Sequence, residues 1–353
     1  MGATIANIPP AARREPWVHT VVLNWHATEE TLGCLTSLRR QTYARQRIVV
    51  VDNGSDEASL GPLRAEGAPW SFMRNPANLG FAGGVNVGIR AALAAGADYV
   101  WLVNNDARAC PDALAHLVAA AEADPRVGLL SPVIRDLEQR DRIEFCGGRF
   151  NPLPLTFDMT LDPAVYRAWR QERPERIWLT GTALLIRRAV IDRIGLFDEA
   201  LFAYYEDNDY SLRAAAAGFH NMVAEAATVL HRSSDPRGAV PGKRPYFYYY
   251  MARNQILLLR KHGGLVRNAR ALWWALRAQA RERKQFRTYK PVADAIAAGV
   301  WDGLRRAGGV YAPERMARTG LWLAATAVRM LAAKLDDKAD VSRRARTMDN
   351  RHA

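Results

Sequence analysis

Almost continuous apolar segments alternate with helical patterns in the first half of this sequence. Three of them, His19–Trp25, Arg47–Val51 and Tyr99–Val103, are rich in valine, leucine and aromatic residues. Such segments are typical of strands that are buried on both faces of a sheet. Between the first two, Thr28–Gln41 carries leucines at helical spacing. The alternation predicts an α/β fold with a mostly parallel central sheet flanked by helices.

Further segments extend this pattern, although residues 135–174 are irregular in sequence. Strands are predicted at residues 69–74, 127–133, 178–187 and 221–230. Helices are predicted at residues 85–95, 111–123, 188–194 and from Asn208 or Asp209 to 217. After residue 245 the pattern predicts helices at residues 246–262, 265–289, 291–307 and 313–335.

Polar side chains follow each of the three apolar strands, where the backbone leaves the sheet. Asn24 ends the first strand, the turn 52–56 follows the second, and Asn104, Asn105 and Asp106 follow the third. Open α/β sheets bind ligands in the crevice beyond the carboxyl ends of their strands. A carboxylate such as Asp106 can hold a hard cation against a phosphate there. The simpler alternative is a polar loop after a strand.

A segment rich in glycine and asparagine, residues 75–88, follows the predicted strand at 69–74. It contains four glycines and three asparagines, and glycine is costly in backbone entropy. The segment lacks the G-x-G-x-x-G spacing of dinucleotide folds and the G-K-[ST] of P-loops. It predicts either a tight loop against a planar or sugar ligand, or a simple junction between a loop and a helix.

Three acidic residues, Glu206, Asp207 and Asp209, lie within four positions of the sequence. Asn208 or Asp209 can cap a helix that ends before Gly218. Asp209 and Arg213 are four positions apart, so we expect them to pair on one helix face.

Composition and charge narrow the class of protein. With 353 residues, 49% hydrophobic and 24% charged, the sequence suits one large globular domain with an appendage, or two domains. Its three cysteines form no C-x-x-C pair, which argues against a disulfide framework or a zinc site and favours a reducing compartment. The net charge of +13 is concentrated after residue 250, where 22 Lys and Arg accompany 8 Asp and Glu. This asymmetry indicates a negatively charged partner, either nucleic acid or anionic lipid.

Targeting and membrane-spanning patterns are absent from the sequence. The first 17 residues contain three prolines and no long apolar core, unlike a signal peptide. No run reaches the roughly 18 apolar residues that cross a bilayer. The nearest, Leu321–Leu335, contains Arg329 and Lys334. We therefore expect a protein that is neither secreted nor integral to the membrane.

Several short motifs occur in a fixed order between residues 21 and 234. They are VVLNW (21–25), VVVDNGSD (49–56), NLGFAGGVNVGI (78–89), LVNNDA (102–107), LTGTALLIRR (179–188), GLFDEALFAYYEDNDYSLRAAAAGF (195–219) and HRSS (231–234). Together they resemble the inverting, metal-dependent family 2 glycosyltransferases of bacteria, which have the GT-A fold. Within that family the sequence is most similar to rhamnosyltransferase-type enzymes of surface polysaccharide and cell-wall synthesis. YYYMARN (248–254) also resembles a segment that follows the catalytic domain in those enzymes.

The resemblance implies a nucleotide-sugar site at the polar strand ends. The implied binding residues are Asn24, Asp52, Asn53, Ser55, Asn78, Gly84, Asn86, Asn104 and Asn105. Among them, Asp52 contacts the nucleotide base while Asn53 and Ser55 shape its turn. Asn78 and the turn at Gly84 line the nucleotide cavity. The alternative for Asp52 is a residue that only forms the turn.

The resemblance also implies a metal ligand and a catalytic base. The Asn-Asn-Asp sequence ending at Asp106 corresponds to the family's D-x-D motif, whose last aspartate binds Mg²⁺ or Mn²⁺. Because Asn104 replaces the first carboxylate, the metal site has one fewer negative charge. His231 falls where related enzymes sometimes have a second metal ligand, although a hydrogen-bonded structural histidine is the alternative. Asp207 corresponds to the catalytic base, with Glu206 as its nearest rival.

Glycosyl transfer requires these residue types. A nucleotide diphosphate leaves only when its developing charge is neutralised, as a carboxylate-held divalent metal can do. An acceptor hydroxyl becomes a good nucleophile when a carboxylate takes its proton. Inversion requires one such base on the face opposite the leaving group, a logic borrowed from glycoside hydrolysis.

The predicted division of the chain follows from these motifs and from the charge. Residues 1–16 form a flexible leader, and residues 17–245 form the GT-A catalytic domain. Its nucleotide-sugar half is 17–135 and its acceptor half is 136–245, and the basic helical region is 246–353.

Tryptophans alternate with basic residues in that helical region, as in helices that lie on anionic membranes. The tryptophans are Trp273, Trp274, Trp301 and Trp322. The densest basic patch is Arg277, Arg281, Arg283, Lys284 and Arg287. A solvated face on an ordinary helical subdomain is the alternative.

Three functions are therefore considered. The main hypothesis is an inverting glycosyltransferase with a dTDP- or UDP-linked sugar donor, such as dTDP-rhamnose. Its acceptor is a saccharide, free or carried on polyprenyl diphosphate, at the cytoplasmic face of the cell membrane. This hypothesis includes no nucleic acid partner and allows a homodimer. The alternatives are a nucleic-acid-binding protein that uses the basic helices and a non-catalytic nucleotide-sugar-binding protein.

Overall fold

A computed structural model gives the fold of the chain. It describes residues 14–65, 67–152, 155–232, 244–267, 269–286 and 288–312, with the backbone alone at 263–267, 269–271 and 274. The predicted helix at 313–335, most of the predicted leader, Trp322 and Arg287 lie outside these residues.

The described part of the chain contains twelve strands. They are β1 (Val18–Asn24), β2 (Gln46–Asp52), β3 (Ser71–Arg74), β4 (Tyr99–Asn104), β5 (Ala107–Ala109), β6 (Val127–Asp136), β7 (Ile143–Phe145), β8 (Gly148–Pro152), β9 (Leu155–Met159), β10 (Ile177–Trp178), β11 (Ala183–Arg187) and β12 (His220–His231).

Nine α-helices were assigned within the same described ranges. They are α1 (Thr28–Leu38), α2 (Gly80–Ala94), α3 (Ala113–Ala123), α4 (Pro163–Glu172), α5 (Arg188–Ile194), α6 (Glu206–Ala216), α7 (Pro245–Arg267), α8 (Ala269–Gln285) and α9 (Lys290–Arg305). None is both long and apolar enough to cross a membrane.

The central sheet is mixed but mostly parallel, with the strand order β3-β2-β1-β4-β11-β6-β12-β5 and with β7 paired to β6. Strands β1 to β4 run parallel to their neighbours within that group, whereas β11 runs antiparallel between β4 and β6. Strands β8, β9 and β10 form a separate antiparallel sheet. Apolar strands such as Tyr99–Asn104 are buried because helices cover the sheet.

The carboxyl ends of β1, β2 and β4 meet at one edge of this sheet. Asn24 pairs in register with Asp52, and Leu23 pairs with Asn104. The sequence-based expectation that these polar strand ends share one crevice is therefore confirmed.

Helix α2 begins at Gly80, five residues earlier than predicted. A Cβ at Gly84 would lie 2.5 Å from Leu23 Cδ1, and one at Gly88 would lie 2.4 Å from Val21 Cγ1. The glycines therefore let the first turns of α2 pack directly on β1. This close packing allows a glycine-rich segment to be helical despite its low helix propensity.

Two other elements differ from their predicted form. The predicted strand at 178–187 is divided into β10 and β11 by the turn at Thr180–Thr182. Helix α6 begins at Glu206, and its N-cap is Tyr205 in a left-handed conformation with no side-chain capping bond. The prediction that Asn208 or Asp209 caps this helix was wrong, because the helix begins at Glu206 and both residues lie inside it.

Candidate active site

Two cavities open next to the carboxyl ends of the central strands. The first, here called the amide cavity, has a volume of about 630 Å³. Its polar side is formed by Asn53, Asn78, Asn104, Asn105 and Asp106. Its opposite side is aromatic and comes partly from the C-terminal helical region, with Phe202, Tyr204, Tyr246, Tyr250 and Tyr311.

A buried hydrogen-bond network supports the floor of the amide cavity. Asn24 Nδ2 donates to Asp52 Oδ1 at 2.9 Å, and the Ser55 backbone N–H donates to Asp52 Oδ2 at 3.0 Å. Thr31 Oγ1 donates to Asn24 Oδ1 at 2.7 Å. Asp52 is fully buried, with Arg74 Nε 3.6 Å from its Oδ2. In this conformation Asp52 holds the turn, and a contact with a nucleotide base stays a prediction.

Asn53 connects this network to the segment that precedes α2. Its Nδ2 donates to Asn78 Oδ1 at 2.9 Å, and its Oδ1 accepts from the Leu79 backbone N–H at 3.1 Å. Asn78 Oδ1 also accepts from the Gly80 N–H at 2.8 Å. The two asparagines therefore fix the shape of the cavity wall that they line.

Asn86 and Gly84 have packing contacts of a different kind. Asn86 is 1% exposed, and its side chain exchanges hydrogen bonds of 2.9 and 3.0 Å with the Phe197 backbone. Its Nδ2 also donates to Glu199 Oε1 at 2.9 Å. Gly84 packs against Leu23. Both residues support the cavity from within α2, and their contact with a nucleotide sugar stays a prediction.

The second cavity, here called the carboxylate cavity, has a volume of about 540 Å³ and adjoins the first. Its ionisable lining includes Glu206, Asp207, Glu144 and His231. Tyr204 lines both cavities. Its apolar lining includes Met159, Leu161 and Met251.

Asp207 lies at the first turn of α6, partly exposed to the carboxylate cavity. Its Oδ2 accepts from the Gly181 backbone N–H at 3.0 Å, and its Oδ1 accepts from the Asn208 N–H at 2.8 Å. Burial raises the pKa of Asp207 above its ordinary 3.8, and these backbone bonds oppose the rise. The carboxylate is therefore a stronger base than a free aspartate and is held in a fixed orientation.

Glu206 is 7% exposed, and its Oε2 accepts no hydrogen bond from the described residues. Burial, followed by the negative charge of Asp207, raises the pKa of Glu206 well above its ordinary 4.5. In contrast to Glu206, Asp207 has both carboxylate oxygens bonded to backbone N–H groups, so it is the better oriented of the two neighbours.

Asp209 is fully buried and binds three basic side chains. Arg213 Nε donates to Asp209 Oδ2 at 2.8 Å, which confirms the predicted pair on α6. Lys261 Nζ and His262 Nε2, both from α7, lie 3.0 and 2.8 Å from Asp209 Oδ1. This ion cluster fastens helix α7 to the helix that carries Asp207.

His231 joins the two cavities. Its Nε2 lies 3.3 Å from Asp106 Oδ1, and its Nδ1 lies 3.2 Å from Glu144 Oε2. Burial alone would lower the pKa of His231, but the carboxylates of Asp106 and Glu144 outweigh it and raise the pKa above 6.5. The structure thus brings Asp106 and His231 together, as the metal-site expectation requires.

The donor chemistry of this pair fits a divalent cation in part. Asp106 Oδ1 is buried and accepts no well-aligned hydrogen bond from the described residues. Glu144 beside His231 Nδ1 is the kind of second carboxylate that orients a ligating imidazole. Within the described ranges, no group of three or more His, Cys, Asp or Glu side chains could hold a metal. The described residues therefore offer two candidate ligands, and other groups, such as a phosphate, would have to complete the coordination.

Sequence reasoning missed several residues of the site. Glu144 lies in the irregular stretch 135–174, so no motif indicated it. The aromatic wall of the amide cavity comes from Tyr246, Tyr250 and Tyr311, which were assigned to a separate helical region. The segment YYYMARN was the only signal in the sequence that connected this region to the catalytic domain.

Four of the five residues of the predicted basic patch lie on α8, while Arg287 lies outside the described residues, and two of the four have local contacts. The Arg277 guanidinium lies 4.7 Å from the centre of the Trp273 ring, and Arg283 Nε donates to the Ala293 carbonyl at 3.2 Å. Arg281 and Lys284 are exposed.

Comparison with known proteins identifies the family. The model for glycosyl transferase family 2 matches residues 20–195. An N-acetylglucosaminyl-diphospho-decaprenol L-rhamnosyltransferase of Mycobacterium tuberculosis is 30% identical over 260 residues, which cover 68% of this chain and 80% of that protein. The chain belongs to glycosyltransferase family 2. The resemblance that the sequence motifs indicated is thus confirmed, and the chain is a hexosyltransferase.

Other members of family 2 are also similar to this chain. Galactofuranosyltransferase GlfT1 of M. tuberculosis is 35% identical over 270 residues, covering 68% of this chain and 82% of that protein. The dTDP-rhamnosyl transferase RfbF of Shigella flexneri is 24% identical over 252 residues, covering 69% of this chain and 80% of that protein. These relatives are enzymes, which favours catalysis over the nucleic-acid-binding alternative.

Solved structures confirm the GT-A fold. Mannosyltransferase PcManGT from Pyrobaculum calidifontis, in complex with GDP-Man and Mn²⁺, matches with a TM-score of 0.51 at 17% identity, covering 84% of this chain and 90% of that one. GalNAc-T7 with UDP, GalNAc and Mn²⁺ matches with a TM-score of 0.52 at 17% identity, covering 68% of this chain and 48% of that one.

Proposed function

We propose that this glycosyltransferase moves a sugar with inversion, from a nucleotide diphosphate donor in the amide cavity to an acceptor hydroxyl in the carboxylate cavity. One observation carries the proposal. The two cavities meet at the contact between Asp106 and His231 and share Tyr204. A donor phosphate near Asp106 and an acceptor near Asp207 would therefore flank one transferred sugar.

Asp207 is the proposed catalytic base. As the acceptor oxygen bonds to the anomeric carbon, its proton passes to the Asp207 carboxylate. The bond from that carbon to the diphosphate breaks on the opposite face, and the diphosphate leaves with the electron pair. Asp207 is preferred to Glu206 for this role because backbone N–H groups fix both of its oxygens, whereas Glu206 Oε2 accepts no hydrogen bond from the described residues. A single base and no covalent intermediate give inversion.

Asp106 and His231 are the proposed ligands of Mg²⁺ or Mn²⁺. A bound divalent cation would neutralise charge on the departing diphosphate as a Lewis acid. The residues of the chain itself orient the donor, since Asn53 and Asn78 shape the adjacent wall. Asn104 lines the same cavity without adding negative charge, so anionic donors meet one carboxylate there rather than two.

A dTDP- or UDP-linked sugar, in particular dTDP-rhamnose, is the proposed donor. Two observations support this donor. Two of the relatives are an L-rhamnosyltransferase and a dTDP-rhamnosyl transferase, and the wall of the amide cavity is aromatic. Aromatic rings suit a flat pyrimidine base and the methyl group of a 6-deoxy sugar. A saccharide, free or linked to polyprenyl diphosphate, is the proposed acceptor, and the apolar residues Met159 and Leu161 line that cavity.

The deciding experiment compares wild-type protein with Asp207→Asn in a transfer assay and in calorimetric nucleotide binding. We expect the variant to lose transfer, because an amide cannot take the proton, while nucleotide affinity in Mn²⁺ stays within about twofold. General base catalysis contributes about 10²- to 10⁴-fold to such reactions. Transfer by Asp207→Asn at more than a tenth of the wild-type rate would refute the assignment.

We further propose that the exposed basic residues of α8 contact an anionic membrane surface. Arg281 and Lys284 carry the proposal because they are exposed and lie on a helix with Trp273. Each basic residue near such a surface adds about 1 kcal/mol to binding. The double variant Arg281→Glu, Lys284→Glu should bind phosphatidylglycerol vesicles more weakly than wild type in a co-sedimentation assay. Equal binding by both proteins would remove this surface from the proposal.

A further inference from the structure

The backbone just before the catalytic carboxylates has an unusual conformation. Phe202, Tyr204 and Tyr205 have φ values of +63°, +68° and +68°. Non-glycine residues seldom adopt positive φ, and such residues persist only where surrounding contacts impose them. At Phe202 the Ala203 N–H donates to the Leu201 carbonyl at 2.7 Å, which closes a γ-turn of the rare, strained kind. Residues 201–205 are here called the pre-base segment.

One side chain of α7 lies within hydrogen-bonding distance of three carbonyls of the pre-base segment. Asn254 Nδ2 lies 2.8 Å from the carbonyl oxygens of Leu201, Ala203 and Tyr204. Asn254 is itself fully buried. The two N–H groups of a single amide thus serve three carbonyls within four consecutive residues of the pre-base segment, so at least one N–H is shared between two carbonyls.

Arg253 holds Asn254 in place. Its Nε donates to Asn254 Oδ1 at 2.8 Å, which orients the amide with its nitrogen towards the pre-base segment. Its Nη2 donates to the carbonyls of Ala200 and Leu201 at 3.0 and 2.9 Å. The guanidinium also lies 4.8 Å from the centre of the Tyr250 ring. Arg253 is fully buried, so this orientation is shielded from water.

The opposite side of the pre-base segment touches the amide cavity. The Phe202 carbonyl accepts from the Ala82 N–H at 3.1 Å, in the first turn of α2. A Cβ at Gly80 would lie 2.4 Å from the same carbonyl oxygen. The pre-base segment is therefore held between the start of α2 and the middle of α7, and it leads directly into Glu206 and Asp207.

We propose that Asn254 is a positioning residue for the catalytic base. By bonding the pre-base segment, it fixes where helix α6 begins and so where Asp207 lies relative to the donor. This inference rests on the proposed role of Asp207. Without the Asn254 amide, the carbonyls of Leu201, Ala203 and Tyr204 lose this donor, and the first turn of α6 can move while the asparagine side of the amide cavity is unchanged.

The test uses the full-length protein with Asn254→Asp and Asn254→Ala. Asn254→Asp keeps the size of the side chain and its contact with Arg253, but presents an oxygen instead of a donor to the three carbonyls. The matched control is Gln255→Ala, the next residue of α7, whose Oε1 accepts from Gln279 of α8 at 3.1 Å. It removes an amide from the same helix without touching the pre-base segment.

We expect kcat to fall about 100-fold in both Asn254 variants, the loss typical of a misplacement of about 1 Å. The donor KM and the nucleotide Kd should stay within about twofold, because the asparagine wall is intact. Gln255→Ala should keep the wild-type kcat even if its melting temperature falls. A merely stabilising residue would instead lower the melting temperature without separating kcat from KM.

Three results would overturn the inference. They are a kcat loss no larger than that of Gln255→Ala, a parallel loss of nucleotide binding, and failure of both Asn254 variants to fold. The last would make Asn254 a determinant of the fold rather than of the position of the base. If the wild-type protein itself transfers no sugar, or if Asp207→Asn remains active, the proposed function fails instead, so the two failures are distinguishable.

Discussion

The ion cluster around Asp209 gives a prediction whose magnitude follows from the structure. The carboxylate is fully buried and contacts Arg213 on its own helix and Lys261 and His262 on α7. Burial alone would raise its pKa, but the hydrogen bond with His262 and the charges of Arg213 and Lys261 lower the pKa from 3.8 to about 2. Replacing the carboxylate with an amide by Asp209→Asn tests this cluster with little change in side-chain size.

The expected loss of stability is about 3 kcal/mol at pH 7. The lowering of the pKa corresponds to about 2.5 kcal/mol of stabilisation of the charged form. Breaking a buried ion pair by removing one partner costs about 3–5 kcal/mol. Lys261 is 35% exposed and can be partly solvated after the change, which places the expected loss at the lower end.

The sign of the pH dependence is fixed by the direction of this shift. The pKa of Asp209 is lower in the folded state than in the unfolded state. The ionised carboxylate therefore makes its full contribution to the free energy of unfolding well above pH 3.8, and this contribution disappears as the pH falls through about 2. The stability difference between wild type and Asp209→Asn should therefore shrink to roughly half of its ionic part at pH 3.

Urea unfolding at pH 7 and pH 3 measures this difference. The control is Asp192→Asn, which removes an exposed i,i+4 pair with Arg188 and should change stability by less than about 0.5 kcal/mol. A loss below about 1 kcal/mol for Asp209→Asn at pH 7, or a difference that grows as the pH falls, would refute the reasoning.

Three further predictions concern the two cavities. Asp106→Ala should weaken nucleotide binding by about tenfold or more in Mn²⁺ but little in EDTA, because a metal ligand affects binding only when the metal is present. Equal calorimetric affinities of wild type and Asp106→Ala in Mn²⁺ would exclude Asp106 as a ligand. The acid limb of the kcat profile should lie above pH 3.8, because the ionised form of Asp207 acts and burial raises its pKa; a limb below that value would contradict this. Gly80→Ala should cost about 1–3 kcal/mol in thermal unfolding, since φ is +75° and the new Cβ meets the Phe202 carbonyl; an unchanged melting temperature would show that the turn can relax.

The sequence predicted the part of the site that depends on strand ends. Asn24, Asp52 and Asn104 each terminate an apolar strand, and parallel pairing places such ends at one edge of the sheet. The contact between Asp106 and His231 was also expected, although only from the family resemblance. Local pattern and topology were sufficient for Asn24, Asp52 and Asn104 because each is the last residue of its strand.

Contacts between distant segments were beyond that reasoning. Asp209 has the sequence pattern of a helix cap, yet burial against α7 gives it ionic partners 52 and 53 positions away. Helix α6 starts at Glu206 because Tyr205 adopts a left-handed conformation. Nothing in local propensity favours that conformation for a tyrosine. Tertiary contacts decide both features.

The C-terminal helical region therefore lines both candidate cavities as well as forming part of the surface of the protein. Helix α7 supplies Tyr250 to the wall of the amide cavity and Met251 to the carboxylate cavity. Asn254 and Lys261, farther along the same helix, bond the pre-base segment and Asp209. Because α7 contacts both cavities, the pre-base segment and Asp209, a movement of α7 would alter the contacts that position Asp207. Any membrane contact made by the adjoining α8 would thus be mechanically connected, through α7, to the position of the base.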